Sequence, residues 1–390
     1  MEAPMNVMSH ASDLACSYCG KQFSIKRVQN YSTCCKKPLI VNYTYEGIAP
    51  KEKLVFRENS MWRYLEMLPL FDLSYKVTLG EGMTPILKLR NLPDQYGFEN
   101  IWMKDEGLNP TGSFKSRGIS MAVSKALELG IEECVIPTAG NAGGALSAYC
   151  AAANMKATVV MPVDTPLIFK QECEKYGAKL ILVDGLIDEC GKVADEIQLN
   201  TGIFNMATMK EPYRLEGKKT IGYEIAEQMN WVLPDIIIYP TGGGTGLIGI
   251  WKAFKEMLEL GWIESSLPRM LAVQSSECNP IVDLFNGKDQ KKSDYGMSVA
   301  NGLSVPKAFG EDLILKIIHE SKGYAISVSD NKILSAVEEV CRNEGILISP
   351  EGAATWAALK VFADQGKISR NERILLLNTG SGYKYLENYH

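Results

Sequence analysis

The chain has 390 residues, 46% of them hydrophobic and 22% charged, with a formal net charge of −5. That composition supports one large core or two lobes and excludes a disordered chain. The acidic balance offers no basic footprint for nucleic acid or an anionic membrane surface, so small-molecule chemistry is the class left.

The opening MEAPMNVMSHASDL has neither the basic start nor the apolar stretch of a secretory signal. The longest uncharged run, 134–155, is interrupted by Pro137, Gly140, Asn141, Gly143, Gly144 and Asn154, which argues against a bilayer span. A cytoplasmic protein without membrane or nucleic-acid partners is expected. Ten cysteines lie scattered, without the density of a disulfide scaffold, and most read as reduced core residues. The three histidines, His10, His319 and His390, leave no His-rich metal centre, and a Ser-His-Asp triad would have to rest on His319, inside an amphipathic helical run.

Residues 1–45 form a cysteine-bearing module with Cys16 and Cys19 in Cys-x-x-Cys spacing and Cys34 and Cys35 adjacent. A zinc ribbon uses two Cys-x-x-Cys pairs, so that each hairpin offers two sulfurs to one tetrahedral ion. Only the first pair has that spacing, and the side chains of neighbouring residues are expected to diverge. A zinc ribbon and a degenerate, metal-free ribbon both remain open; the working expectation is no metal.

Next come a helix-like piece at 60–64, Ser-Met-Trp-Arg-Tyr, and the turn Gly80-Glu81-Gly82-Met83-Thr84-Pro85. At 109–118 stands Asn-Pro-Thr-Gly-Ser-Phe-Lys-Ser-Arg-Gly, with Lys115 between an Asn-Pro turn and a run of helical periodicity. A lysine just inside a helix N-terminus feels the positive end of the macrodipole, which together with desolvation lowers its pKa and makes the amine nucleophilic. A Schiff-base lysine needs that setting.

Beyond Lys115 apolar β-branched runs alternate with amphipathic helices: helix 116–129, strand 134–137, helix 144–153, strand 157–163, helix 167–176, strand 179–183 and helix 186–199. The alternation resumes with helix 217–229, strand 236–239, helix 247–258, strand 270–273, helices 332–341 and 353–362, and strand 374–377. This predicts an α/β protein, parallel sheets covered on both faces, in two lobes with a cleft. A polar loop is expected around 286–294.

Three loops carry chemistry at strand ends. Pro137-Thr138-Ala139-Gly140-Asn141 enters a helix and can offer N–H groups to a carboxylate. Pro240-Thr241-Gly242-Gly243-Gly244-Thr245-Gly246 can surround a phosphate with backbone amides and a helix dipole. Gly244, Gly246 and Gly249 also fit a dinucleotide G-x-G-x-x-G, but the acid after the following strand, Glu277, comes later than that fingerprint expects. Asn378-Thr379-Gly380-Ser381-Gly382 closes the last strand.

Taken in order, these motifs resemble the fold-type-II pyridoxal-phosphate enzymes, tryptophan synthase beta-like in fold, and the 109–118 segment is most similar to threonine synthase. The resemblance runs from Trp62 to Lys384, and the N-terminal module looks like the ribbons found on many threonine synthases. It implies pyridoxal 5′-phosphate on Lys115, with Asn141 at the ring phenolic oxygen, Gly242, Gly243, Gly244, Thr245 and Gly246 at the phosphate, and Thr379 at the ring nitrogen, where a neutral hydroxyl limits the ring as an electron sink. It further implies Thr138, Asn205 and Arg214 as substrate contacts, Arg214 holding the phosphate of O-phospho-L-homoserine. The lobes implied are a large cofactor-binding lobe of residues 46–106 and 198–390 and a small mobile lobe of residues 107–197, in a homodimer.

The implied activity is a carbon–oxygen lyase, threonine synthase. Two departures remove hydrogen-bonding groups: Met206 where the family often has serine, and Gly243 where asparagine is common. With the Ser349-Pro350-Glu351-Gly352 run they keep a threonine or serine ammonia-lyase, or a cysteate-synthase-like enzyme, as alternatives. Outside the family stand a nicotinamide-dependent oxidoreductase and a catalytically silent ligand-binding protein.

Overall fold

A computed structural model describes residues 8–264, 266–289 and 295–389. Part of the expected polar loop, 290–294, and His390 lie outside the described residues, as does the start of the N-terminal stretch.

The N-terminal module is a small antiparallel sheet of β1 (Ala11–Cys16), β2 (Gln22–Phe23) and β3 (Leu39–Tyr43), in the order β2-β1-β3. Its inward residues Leu14, Leu39 and Val41 join a core containing Trp62 and Ile119, so the module is welded to the rest of the chain. One expectation is corrected here. Cys34 and Cys35 do not diverge: the sulfurs of Cys16, Cys19, Cys34 and Cys35 all lie within 4.8 Å of one another. The chain folds back between Ser32 and Lys36, which stands at φ 54°, and brings both sulfurs beside those of Cys16 and Cys19.

The main sheet consists of β4 (Ile86–Lys88), β5 (Asn100–Asp105), β10 (Ile236–Pro240), β11 (Arg269–Ser275), β12 (Tyr324–Val328) and β13 (Arg373–Asn378), in the order β12-β11-β10-β13-β5-β4. All neighbours are parallel except β4 with β5. The second sheet consists of β6 (Glu133–Pro137), β7 (Lys156–Pro162), β8 (Lys179–Val183) and β9 (Phe204–Asn205), all parallel, ordered β8-β7-β6-β9. Ile236, Ile237 and Ile238 are all fully buried, which is why β10 reads as an unbroken apolar run: helices cover both faces.

The α-helices among the described residues are, in chain order, α1 (Asn91–Tyr96), α2 (Lys115–Glu128), α3 (Asn141–Ala152), α4 (Leu167–Lys175), α5 (Ile187–Thr201), α6 (Tyr213–Gln228), α7 (Thr245–Glu259), α8 (Pro280–Phe285), α9 (Glu311–Glu320), α10 (Asp330–Glu344) and α11 (Pro350–Asp364), of which α2, α3, α6 and α7 matter for the site. Helices α3 and α6 begin about a turn before their apolar periodicity: the first residues of α3, Asn141 and Ala142, line a cavity, while the first turn of α6 is buried, with Tyr213 and Leu215 in the cores and Arg214 and Glu216 as buried charges. Helices α2 and α6 touch backbone to backbone. A methyl group on Gly118 would lie 2.7 Å from the Arg214 carbonyl oxygen, and one on Gly217 2.1 Å from that of Arg117. The piece at 60–64 forms a 3-10 turn, Met61–Met67, capped by Ser60 and anchored by an indole hydrogen bond from Trp62 to Glu81 of 2.8 Å.

A charge cluster joins these parts below the α2–α6 crossing. Arg117 donates to Glu106 from Nε at 2.6 Å and to Glu224 from Nη2 at 2.7 Å, and Lys104 donates to Glu224 at 2.8 Å; all four side chains are fully buried. Burial alone would raise the Glu224 carboxyl, but Arg117 and Lys104 outweigh it and hold the carboxyl at about 2. The Thr84 hydroxyl, the Met83 amide and the Asn109 side chain donate to the same carboxylates alongside Arg117, tying in the Gly-Glu-Gly-Met-Thr-Pro turn. Removing one member strands a buried charge, so Arg117→Met should lose about 3–5 kcal/mol, read as a fall in the urea midpoint; an unchanged midpoint would show the cluster to be dispensable.

Candidate active site

Lys115 is the first residue of α2, and the turn before it is stapled to the end of β13. The Phe114 amide donates to the Thr379 carbonyl at 3.1 Å, the Ser381 amide to the Gly112 carbonyl at 2.8 Å, and Lys384 to the Thr111 carbonyl at 2.6 Å. Two chain segments far apart in sequence are thereby fixed side by side. Lys115 opens into a cavity of ≈ 570 Å³ that is also lined by Thr138, Asn141, Gly242, Gly243, Gly244, Thr245, Gly246 and Thr379. The volume is that of a small-molecule site.

Asn141 begins α3, reached through Gly140 at φ 155°. Its amide nitrogen donates to the Tyr385 hydroxyl at 3.0 Å, which donates in turn to Glu351 at 3.0 Å, while the Asn141 carbonyl oxygen is buried without a partner. The glycine loop runs between β10 and α7 with no space for side chains. A methyl on Gly242 would lie 2.1 Å from the Gly302 carbonyl oxygen and one on Gly244 2.2 Å from Ile314. What the loop presents to the cavity is therefore backbone at a helix N-terminus, a surface suited to an anion.

Arg214 and Asn205 do not line this cavity. Asn205 spends its amide on Asp195, at 2.9 Å, and on the Ala207 amide, at 2.9 Å, and so shapes the turn that puts Ala207 and Thr208 on the wall. Arg214 lies behind Lys115 in α6. Its Nη1 donates to the Met206 carbonyl oxygen, while Nε and Nη2 are buried without partners. Beside it is Lys218, a residue that the sequence reading passed over: fully buried, and hydrogen-bonded at 2.7 Å to the Thr245 hydroxyl at the lip of the glycine loop. Only its place one helical turn after Arg214, on the same α6 face, signalled it.

Three basic side chains thus meet with two nearby carboxylates, Glu351 on the cavity wall and Glu211, which accepts from the Tyr213 amide at 2.8 Å at the start of α6. Desolvation lowers Lys115 to about 8, Arg214 adding repulsion and Glu351 opposing it. Desolvation, then Arg214 and Lys115, push Lys218 well below the usual lysine range. Desolvation raises Glu211 to about 7, against the pull of Arg214. A pocket whose basic groups outnumber its acids, and whose lysines tend to give up their charge when it is empty, is set to regain that charge around an anionic ligand.

A family model described as pyridoxal-phosphate dependent enzyme matches residues 77–380. The chain belongs to that family. It is 37% identical to the threonine synthase of Methanocaldococcus jannaschii over 95% of this chain and 92% of the relative, and 34% identical to that of Methanosarcina acetivorans over 94% and 91%. The solved structure of an O-ureido-L-serine synthase superposes with a TM-score of 0.66 at 21% identity, covering 78% of this chain and 91% of the other, a likeness of fold.

The cofactor of this family is pyridoxal phosphate, and the residues present fit it: a cavity-facing lysine of lowered pKa, an orphaned Asn141 oxygen and a glycine loop open to an anion. The nicotinamide reading falls with the family match. Its third glycine, Gly249, serves helix packing: a methyl there would lie 2.9 Å from the Lys219 amide nitrogen.

The electrostatics make a signed prediction for enzyme stripped of cofactor. Labelling of Lys115 by an amine-directed reagent should titrate with a midpoint near its lowered value of about 8. Arg214→Gln removes a neighbouring cation and should raise the midpoint; Glu351→Gln removes an anion and should lower it. Peptide mapping by mass spectrometry reads the rate, and shifts of the opposite sign would contradict the placement.

Proposed function

We propose that this enzyme converts O-phospho-L-homoserine and water to L-threonine and phosphate. The observation that carries the reading is the buried Arg214, two of whose guanidinium nitrogens have no partner and whose charge acts on Lys115. Two phosphates, one on the cofactor and one on the substrate, would match the surplus of cations, and the similarity to threonine synthases supports the same reading.

Bound pyridoxal phosphate supplies the electron sink that makes the substrate Cα–H acidic. In this reading Lys115 would hold the cofactor; the glycine loop of Gly242 to Gly246, with Lys218 behind Thr245, would hold its phosphate; Asn141 would serve its phenolic oxygen and Thr379 its ring nitrogen. Thr138 and the amides at the start of α3 orient the substrate carboxylate. The Lys115 amine would take protons from Cα and Cβ as phosphate leaves Cγ, return one to Cγ to make the methyl group, and restore one at Cα as water adds its hydroxyl at Cβ, while Arg214, behind the cavity lining, would favour the departing phosphate by its charge. Asn205 acts by shaping the Ala207–Thr208 wall. The lobes would be residues 46–106 and 198–390 on one side and 107–197 on the other, the smaller closing over the cleft to exclude stray water. A homodimer in the cytoplasm completes the proposal. No helix among the described residues is long and apolar enough to cross a membrane, in keeping with a protein that acts without one.

An ammonia-lyase acting on threonine or serine is the second reading, favoured by Met206 and Gly243, which offer no side-chain hydrogen bond to a substrate phosphate. Arg214→Ala separates the two. With O-phosphohomoserine it should lose on the order of 2–5 kcal/mol in kcat/KM, while any turnover of free threonine or serine stays near wild type. A wild-type enzyme that deaminates threonine and ignores both O-phosphohomoserine and O-phosphoserine would overturn the synthase reading.

Lys218→Gln tests the phosphate cup. Affinity for pyridoxal phosphate should fall on the order of tenfold to a hundredfold, the worth of a hydrogen bond to a charged group, whereas affinity for pyridoxal, which lacks the phosphate, should barely change. Equal losses for both ligands would place Lys218 in the fold alone.

A further inference from the structure

The four clustered sulfurs of the N-terminal module belong to no step of the reaction above, yet their arrangement is specific. A tetrahedral thiolate site with zinc–sulfur bonds of about 2.3 Å has sulfur–sulfur edges of about 3.8 Å. Here all four sulfurs lie within 4.8 Å of one another, with Cys19 and Cys34 at 3.5 Å.

The backbone explains how an irregular spacing arrives at a regular site. In the first turn the Gly20 amide donates to the Cys16 carbonyl and the Cys16 amide to the Lys21 carbonyl, both at 2.9 Å. The second turn repeats this pattern: the Lys36 amide donates to the Ser32 carbonyl at 3.0 Å and the Ser32 amide to the Lys37 carbonyl at 2.9 Å. Gly20 at φ 73° and Lys36 at φ 54° occupy matching left-handed positions. The two turns are copies of one knuckle. Cys16-x-x-Cys19 matches Ser32-x-x-Cys35, so serine stands where the second knuckle would have its first cysteine. Ser32 faces Cys16, its hydroxyl oxygen 3.3 Å from that sulfur, and Cys34 supplies the missing fourth thiolate from the neighbouring position.

The second knuckle continues directly into the active-site wall, since Lys36 and Lys37 line the cavity that holds Lys115. The segment is pinned there on both sides: Asn30 donates to the Asn205 carbonyl at 2.9 Å, and the Tyr31 ring lies 5.7 Å from that of Phe309. Whatever fixes Cys34 and Cys35 also fixes the two lysines that follow them, Lys37 ion-paired with Asp312.

We propose that Cys16, Cys19, Cys34 and Cys35 bind one zinc ion, and that the ion holds Lys36 and Lys37 against the mouth of the active-site cavity. A disulfide is the rival use of these thiols, but it would join only two of the four sulfurs and require about 2.05 Å between them.

Metal analysis of enzyme purified without chelator should find about one zinc per chain, and cobalt exchanged into the site should show the absorption of a tetrahedral thiolate complex. Cys19→Ser and Cys34→Ser should lose the metal, while Cys341→Ser, far from the cluster in sequence and half-buried, should keep it. Metal-free protein after growth with zinc, or a mass lighter by two hydrogens with blocked thiols, would overturn the site, as would iron in place of zinc. The positioning claim has its own readouts, independent of which amino acid the enzyme accepts. Zinc-free Cys19→Ser should exchange amide hydrogens faster at 30–38 and show a KM raised severalfold, with kcat and cofactor content near wild type. Unchanged exchange, or kcat falling together with cofactor content, would overturn it.

Discussion

The α2–α6 crossing is the constraint on which the site depends. Gly118 and Gly217 let the two backbones touch, and a matched set of buried charges lies beside the contact. Arg117 and Lys104 against Glu106 and Glu224 give two cations and two carboxylates, buried and hydrogen-bonded on nearly every polar atom. Such a cluster adds less to stability than an apolar core of equal volume would, yet it is costly to break. Its physical effect is to fix one arrangement, because slipping either helix by a turn would leave ionised groups unpaired in a dry interior.

The other side of the same crossing is organised in the opposite sense. Lys115 lies two residues before Arg117, and Arg214 and Lys218 lie on the α6 turns that face it. There the basic groups outnumber their two near carboxylates, Glu211 and Glu351. Buried repulsion of this kind raises the energy of the ligand-free protein, and an incoming dianion relieves it. The compensated half gives the uncompensated half a rigid base. An electrostatically unfavourable pocket persists when the surrounding structure leaves its members nowhere to go.

Much of this was legible in the sequence. Strands such as Ile236–Pro240 and Arg373–Asn378 announced themselves as unbroken apolar runs, and the loops at Asn141, Gly242 and Thr379 could be placed because strand ends entering helices leave N–H groups free. What escaped notice has a common cause. Strand Asn100–Asp105 carries Lys104 and Asp105, which read as surface charges until their partners, more than a hundred residues away in the case of Glu224, come into view. Lys218 was hidden likewise, since in a sequence a buried unpaired lysine looks like any exposed one. Asn205 reads as an available amide, and only the fold reveals that Asp195 and the Ala207 backbone have taken it.

The cysteine module carries the same point into backbone geometry. Spacing rules for paired cysteines are rules about knuckles, and a knuckle is defined by its hydrogen bonds and its one left-handed residue. Side-chain identities come second. Reading Cys34-Cys35 as a collapsed pair treats the cysteines as the frame; reading Ser32 to Lys37 as the frame makes Cys34 a substitute ligand within an intact turn. That turn then has a reason to be rigid beyond its own stability. Its last two residues line the cavity, and a pair of lysines on a frayed loop would hold their charges in solvent instead of at the mouth of an anion site.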